Sequence, residues 1–128
     1  ALPSLLIILL ASVSICLQSA TASEDLDSTI NYLLEYVRNS DVVFIRNNQD
    51  YTGEEASIHM RKKYEHFKER IKTPEDVIRL AGTKSLLSGR LYQIRMKDGT
   101  TLLTHKWLED VLQEYRERTS GITDSVKN

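Results

Sequence analysis

Apolar residues recur at intervals of three and four in four stretches of the chain, which is the spacing of helices that bury one face. The four stretches cover about residues 24–39, 53–71, 74–81 and 105–118. A threonine followed three positions later by Glu or Asp precedes the second and third stretches, at Thr52 and Thr73. This capping-box pattern satisfies free backbone N–H groups at a helix start. Together, the apolar spacing and the capping boxes predict four helices.

Three short runs have the composition or the alternation of β-strands. Residues 42–46 begin with four β-branched or aromatic residues, residues 91–96 alternate between apolar and polar, and residues 101–104 follow an Asp-Gly dipeptide that favours a tight hairpin. Helices and strands do not alternate regularly, which disfavours a doubly wound parallel sheet. We expect an α+β fold of about four helices packed on a small antiparallel sheet of about three strands, with Trp107 as the largest contributor to its core.

The beginning of the chain differs from the rest, because residues 1–22 contain no charged side chain. A run of leucines and isoleucines is followed by small residues ending at Ala22, which is typical of a secretory signal peptide and its cleavage site. About 13 apolar-rich residues are too few for a membrane-spanning helix, which needs about 20. We expect a signal peptide at 1–22, a single domain at 23–118 and a flexible tail at 119–128. The processed protein would be periplasmic or extracellular, without a transmembrane helix.

The single cysteine, Cys16, lies inside the predicted signal peptide. Lipidation of Cys16 is disfavoured because Ile15, a bulky branched residue, stands where a small residue is expected. A mature domain without a thiol excludes thiol catalysis, disulfides and thiolate metal sites. The sequence also lacks the zinc, phosphate-loop and dinucleotide motifs, so we expect no metal and no cofactor.

The charge is nearly balanced, with 17 Lys and Arg against 18 Asp and Glu. Binding to a phosphate backbone requires a basic excess, so nucleic acid is not an expected partner. Hydrophobic residues make up 41% of the chain, which is enough for a packed core in a domain of this size.

Cationic and titratable side chains follow one edge of the second predicted helix. His59, Lys63, His66 and Arg70 recur at three- and four-residue spacing beside the apolar stripe, where they would be able to hold an anion. The alternative is a solvated flank whose long side chains cover the edge of the core. Glu55 lies one turn before His59, so a row of Glu55, His59 and Lys63 within the helix would satisfy these charges without any ligand.

A set of spaced segments resembles a known family. The segments are Phe44-Ile45-Arg46-Asn47, Tyr51, Glu55-Ala56, His59, Lys63-Tyr64, Thr83-Lys84-Ser85, Ser88-Gly89, Tyr92 and Trp107-Leu108. Over about residues 30–115 they resemble a bacterial family of small exported proteins known only as a domain of unknown function. The resemblance implies a shared fold and an envelope or secreted location, and it implies no activity. Asn48 stands where that family usually has Gly, and because Asn tolerates a left-handed backbone we expect the turn to be kept.

The resemblance also selects seven polar positions at element ends, where binding sites are usually assembled. The candidate ligand-binding residues are Arg46, Tyr51, His59, Lys63, Ser85, Ser88 and Tyr92. If they converge, the protein is best interpreted as a non-catalytic binding or interaction module for an anionic or polar ligand or protein of the cell envelope. The second hypothesis is a small hydrolase in which Ser85 or Ser88 is activated by His59 or Lys63. The third is a structural scaffold or inhibitor that acts through its helical faces.

Overall fold

A computed structural model of the protein describes residues 24–125. The expected signal peptide, with its cleavage site and Cys16, lies outside these residues, as do the last three residues of the expected tail. The described part is α+β, as predicted, with four α-helices and one four-stranded antiparallel sheet.

The two helices with predicted capping boxes begin where those signals place them. They are α1 (Leu26–Arg38), α2 (Gly53–His66), α3 (Pro74–Ala81) and α4 (Thr104–Ser125). Thr52 and Thr73 each accept a hydrogen bond from the backbone of the third helical residue, whose carboxylate in turn accepts from the backbone N–H of the threonine. Both predicted capping boxes are therefore confirmed. The second helix is shorter than expected, because a 3₁₀ turn at Lys68–Arg70 replaces its last part.

The sheet contains one strand that the sequence pattern does not predict. The strands are β1 (Val43–Arg46), β2 (Gln49–Tyr51), β3 (Gln93–Arg95) and β4 (Thr101–Leu103), in the spatial order β2-β1-β3-β4. The three expected strands are confirmed in shorter form. The extra strand β2 is a polar edge strand, joined to β1 by Asn47 and Asn48, whose φ angles are 51° and 62°. These two asparagines supply the left-handed backbone that a two-residue hairpin requires, so the expected turn is kept.

The register of the sheet decides which side chains face the helices. Phe44 pairs with Tyr51 on one side and with Ile94 on the other. Phe44 and Ile94 are buried, so this face packs against the helices. Because side chains alternate along a strand, Arg46 lies on the same face as Phe44, at the end of β1. The sheet therefore directs a guanidinium toward the helical layer.

The core lies between the helices and this face of the sheet. Its largest fully buried side chains include Ile30, Leu33 and Leu34 of α1 and Leu108 of α4. Trp107, which the sequence predicts as the largest core residue, is instead only partly buried at the margin. Its ring contacts Tyr36 and Phe44, with centroids 5.5 Å and 5.7 Å away. The stripe of α4 is thus centred on its smaller apolar residues.

The last helix is longer than the sequence predicts. It continues through residues 119–125, which we expected to form an irregular tail. Elongation adds one hydrogen bond for each residue fixed, and no proline interrupts this segment. The hydroxyl of Thr119 also donates to the backbone oxygen of Tyr115, at 3.0 Å, so this polar residue is satisfied within the helix.

Candidate functional site

A cavity of about 290 Å³ lies between α2 and the edge formed by β1, β2 and the residues leading into β3. Its apolar wall includes Phe44 and Met60, and its polar wall includes Arg46, His59 and Tyr92. The capping box at Thr52 fixes the start of α2, and the hairpin turn fixes the end of β1. The two elements that carry the polar wall are therefore held firmly on both sides of the cavity.

The guanidinium of Arg46 is held in place by neutral groups. Its Nη2 donates to the hydroxyl of Tyr51 at 3.1 Å, and its Cζ lies 4.7 Å from the centroid of the same ring. The Tyr51 hydroxyl donates in turn to the Oε1 of Gln49 at 3.0 Å. The short polar strand β2 thus orients the arginine without neutralising its charge.

Arg46 also contacts the imidazole of His59 on α2. The Nη1 of Arg46 lies 2.8 Å from Nδ1 and 3.0 Å from Nε2 of the ring. A guanidinium can only donate hydrogen bonds, so the imidazole must offer it a lone pair. Burial, followed by the charges of Arg46, Lys63 and Lys62, lowers the pKa of His59 to about 4. His59 is therefore neutral at pH 7.

The third member of the network is Tyr92, which leads into β3. The Nε2 of His59 lies 3.2 Å from the Tyr92 hydroxyl. If Nδ1 of His59 accepts from Arg46, the proton of the neutral ring is on Nε2 and is donated to Tyr92. This tautomer is assigned from the shorter of the two contacts, since Nη1 of Arg46 is closer to Nδ1 than to Nε2.

Lys63 closes the network behind Tyr92. Its side chain is buried, and its Nζ donates to the backbone oxygen of Lys84 at 2.8 Å and to the Tyr92 hydroxyl at 3.1 Å. Burial, and secondarily the charge of Arg46, lowers the pKa of Lys63 to about 8. Lys63 remains mostly protonated at pH 7 and supports Tyr92 from the side away from the cavity.

The two cations of this network have no acidic partner. Among residues 24–125, no carboxylate forms an ion pair with Arg46 or Lys63. The carboxylate of Glu55 instead accepts from the backbone N–H and the hydroxyl of Thr52, at 3.3 Å and 3.1 Å. The alternative of a self-satisfied row of Glu55, His59 and Lys63 therefore does not form. The reason is that the Glu55 carboxylate caps the start of α2.

The predicted basic edge of α2 divides into two parts. His59 and Lys63 enter the network, whereas His66 and Arg70 are exposed. His66 contacts the ring of Phe67, and Arg70 lies over the same ring, 5.5 Å from its centroid. Because α2 ends at His66, Arg70 no longer follows the helical spacing that placed it on this edge.

The two serines lie beside the network and do not line the cavity. The hydroxyl of Ser88 donates to Oδ1 of Asn47 at 2.5 Å, and Nδ2 of Asn47 donates to the hydroxyl of Ser85 at 3.3 Å. In the described part of the chain, neither serine is hydrogen-bonded to His59 or Lys63. The serine loop is thus fastened to the β1–β2 turn through Asn47.

Five of the seven predicted site residues form one contiguous network, and the other two adjoin it. Residues 24–116 match DUF5329, a family of unknown function. The chain belongs to this family. The resemblance expected from the sequence is therefore confirmed. No curated protein and no solved structure matches the chain.

The DUF5329 domain also contains site residues that the sequence analysis missed. Asn47 is part of the resemblance, but it was not selected as a site residue, since an asparagine before a second asparagine indicates a turn. Thr104 lines the cavity, and its buried hydroxyl has no hydrogen-bond partner among the described residues. Nothing in the sequence distinguishes this threonine, because a hydroxyl at the start of a helix is usually a cap.

Two further properties of the DUF5329 domain concern the whole of residues 24–125. Within this range, no helix is both long and apolar enough to cross a membrane. The same residues contain no group of three His, Cys, Asp or Glu side chains placed to hold a metal ion.

Proposed function

We propose that this domain is a non-catalytic binding module that holds the carboxylate or phosphate group of a ligand against Arg46. The observation that carries the proposal is an oriented guanidinium at the wall of a cavity, next to a second buried cation, with no carboxylate paired to either among the described residues. A location in the cell envelope or outside the cell is part of the proposal and rests on the pattern of residues 1–22.

The hydrogen-bonding capacity of Arg46 supports this role. A guanidinium has five N–H donors in a planar fork that fits a carboxylate or a phosphate. Arg46 uses one donor toward His59 and one toward Tyr51. The remaining donors are available for a ligand, and the surrounding groups already fix the plane of the fork. Such preorganisation lowers the entropic cost of binding.

The electrostatics of the network favour an anion. Burial and, after it, the charge of Arg46 lower the pKa of both His59 and Lys63, so an additional positive charge is unfavourable there. An anion beside Arg46 offsets the positive charges of Arg46 and Lys63. The neutral state of His59 at pH 7 also leaves the ring free to accept from Arg46 while the guanidinium binds its ligand.

The hydrolase hypothesis is less well supported by the same contacts. A serine nucleophile needs its base within about 2.6–3.2 Å. The hydroxyls of Ser85 and Ser88 are instead engaged with Asn47 and with the backbone of their own loop. No observation favours a catalytic role for either serine, so binding remains the proposed function.

The experiment is a titration of the purified protein with inorganic phosphate and with acetate, followed by NMR. We expect the resonances of His59 and Tyr92 to shift, and the replacement Arg46→Gln to weaken binding about tenfold or more, because charge-assisted hydrogen bonds are lost. The control is Arg95→Gln, since Arg95 pairs with Asp50 at 2.9 Å and lies on the opposite face of the sheet. Equal affinities of Arg46→Gln and the unmodified protein would contradict the proposal.

A further inference from the structure

The interior of the cavity differs in character from the wall that carries Arg46. Phe44 and Met60 are buried apolar residues of the cavity wall, and Ile58 lines it with 52% of its surface exposed. A volume of about 290 Å³ lies near the lower end of the range for small-molecule sites, about 300–1,000 Å³. An apolar body of limited size therefore fits this space, and a hydrated inorganic ion alone would leave most of it unused.

A second polar feature, Thr104, lines the same cavity. Thr104 is only 2% exposed, and its Oγ1 has no hydrogen-bond partner among residues 24–125. The backbone N–H of Thr104 donates to the backbone oxygen of Tyr92 at 3.0 Å, which anchors the residue to the strand entry beside the network. An unpaired buried hydroxyl is unfavourable, so such a group is usually satisfied by water or by a ligand.

The charged residues of the cavity limit the number of anionic groups that it accepts. Lys62 and Glu55 both line it, and their charges offset each other. Arg46 is thus the cation left for a ligand at the wall, while Lys63 lies behind Tyr92. A polyanion such as a nucleotide would meet a net charge of about +1 from Arg46, Lys62 and Glu55, together with an apolar interior.

We propose that the cavity takes a small amphipathic monoanion. Its carboxylate or phosphate group binds Arg46, its apolar body packs on Phe44 and Met60, and a hydroxyl or similar polar group on that body hydrogen-bonds to Thr104 Oγ1. This inference rests on the proposed function, because it assigns the anionic group to the same guanidinium. It goes further in specifying the rest of the ligand.

The test uses matched probes and calorimetric titration of the purified protein. The probes are acetate, butyrate, hexanoate and octanoate, together with the ω-hydroxy forms of the three longer acids. We expect affinity to rise about three- to fourfold for each methylene that enters the cavity. At the length that reaches Thr104, the ω-hydroxy acid should bind about two- to tenfold more tightly than its unsubstituted counterpart, which is the effect of one neutral hydrogen bond.

The replacement Thr104→Val removes the hydroxyl and keeps the shape of the side chain. The unsubstituted acids should bind this variant as well as the unmodified protein, whereas the advantage of the ω-hydroxy acid should disappear. The control is Thr101→Val, an exposed position on β4 that does not line the cavity. Circular dichroism melting of Thr104→Val should show an unchanged or slightly raised Tm, because no hydrogen bond is lost.

The outcomes separate this inference from the proposed function. If acetate and phosphate bind through Arg46 and chain length has no effect, the amphipathic ligand is excluded and the anion site stands. If affinity rises with length but the hydroxyl gives no advantage, or if Thr104→Val keeps that advantage, the contact with Thr104 is excluded. If none of the probes and no phosphate binds, both proposals fail.

Discussion

Arg116 and Arg46 each join distant parts of the chain, but they differ in whether carboxylates neutralise their charge. Arg116 on α4 donates from Nε and Nη2 to the two carboxylate oxygens of Glu24, each at 2.9 Å, and from Nη1 to Glu75. Arg46 on β1 contacts an imidazole and a phenol ring. Both guanidinium groups are oriented by their neighbours, but only Arg116 is neutralised by them.

The pKa values of the neighbouring groups follow from this difference. Arg116 lowers the pKa of Glu75 and its own pKa is raised, so each partner stabilises the charged form of the other. Arg46 contributes to the lowered pKa of His59 and of Lys63, after burial as the larger cause. The contacts of Arg116 thus contribute to folding, whereas the arrangement around Arg46 is favourable only when an anion is added.

The largest expected effect separates the two arginines by their contribution to stability. Arg116→Met should lower the free energy of unfolding by about 1–2 kcal/mol, because it breaks a partly exposed three-residue network joining α4 to the starts of α1 and α3. Arg46→Met should leave it unchanged or raise it, since an unpaired and partly buried charge is removed. Urea unfolding of both variants at neutral pH measures the difference.

Salt provides the internal control for this pair. The loss caused by Arg116→Met should shrink at high ionic strength, because screening already weakens the exposed ion pairs of the unmodified protein. If Arg46→Met lowers the free energy of unfolding as much as Arg116→Met does, Arg46 is a structural residue. The contrast between the two regions would then not hold.

The next effect is the dependence of stability on acid pH. The folded-state pKa of His59, about 4, lies below its ordinary value of 6.5. The unfolded chain therefore binds more protons between these values, so the stabilising contribution is complete above pH 6.5 and is lost as the pH falls toward 4. Because the ring is only partly buried, we expect about 1–2 kcal/mol from this site.

A comparison of two histidine variants tests this assignment. His59→Gln should flatten the dependence of unfolding free energy on pH between 6.5 and 5, since glutamine accepts from Arg46 without titrating. His66→Gln, on the exposed end of the same helix, should retain it. An identical slope in the unmodified protein and in His59→Gln would show that the imidazole is not desolvated by the network.

The parts of the fold that the sequence predicts are those fixed by local interactions. The capping boxes at Thr52 and Thr73 act within three residues, and the spacing of apolar residues reports the buried face of each helix. Strand β2 was missed because Gln49 and Asp50 are polar and exposed, and its pairing depends on the turn before it. The helical extension at 119–125 was missed because elongation of an existing helix needs no apolar stripe.

The site is predicted as a set of residues but not as an arrangement. Arg46 and His59 were both selected, yet their contact depends on how β1 and α2 pack, which no local spacing determines. The same holds for the contact between Lys63 and the backbone of Lys84, twenty-one positions apart. The cavity and the unpaired hydroxyl of Thr104 are products of packing alone, so they have no sequence signature.

The smallest expected effect concerns Lys63, the buried cation of the network. Lys63→Met removes a desolvated charge but leaves the Lys84 backbone oxygen without its side-chain donor, so the unfolding free energy at pH 7 should change by less than about 1 kcal/mol. The direction in which the unfolding free energy changes at alkaline pH is more informative. The folded-state pKa of Lys63, about 8, lies below the ordinary value of 10.5, so the unfolded chain binds more protons in this window and the unmodified protein gains stability as the pH rises from 8 to 10.

Lys63→Met should lack this gain, whereas Lys62→Met, at the exposed neighbouring position, should keep it. The measurement is urea unfolding at pH 8, 9 and 10. The window ends at 10 because burial raises the pKa of Tyr92, and above that pH the tyrosine acts in the opposite direction, since the folded state then binds more protons than the unfolded chain. A loss of stability between pH 8 and 10 in the unmodified protein would show that the charge of Lys63 is compensated. The region around Arg46 would then resemble the region around Arg116.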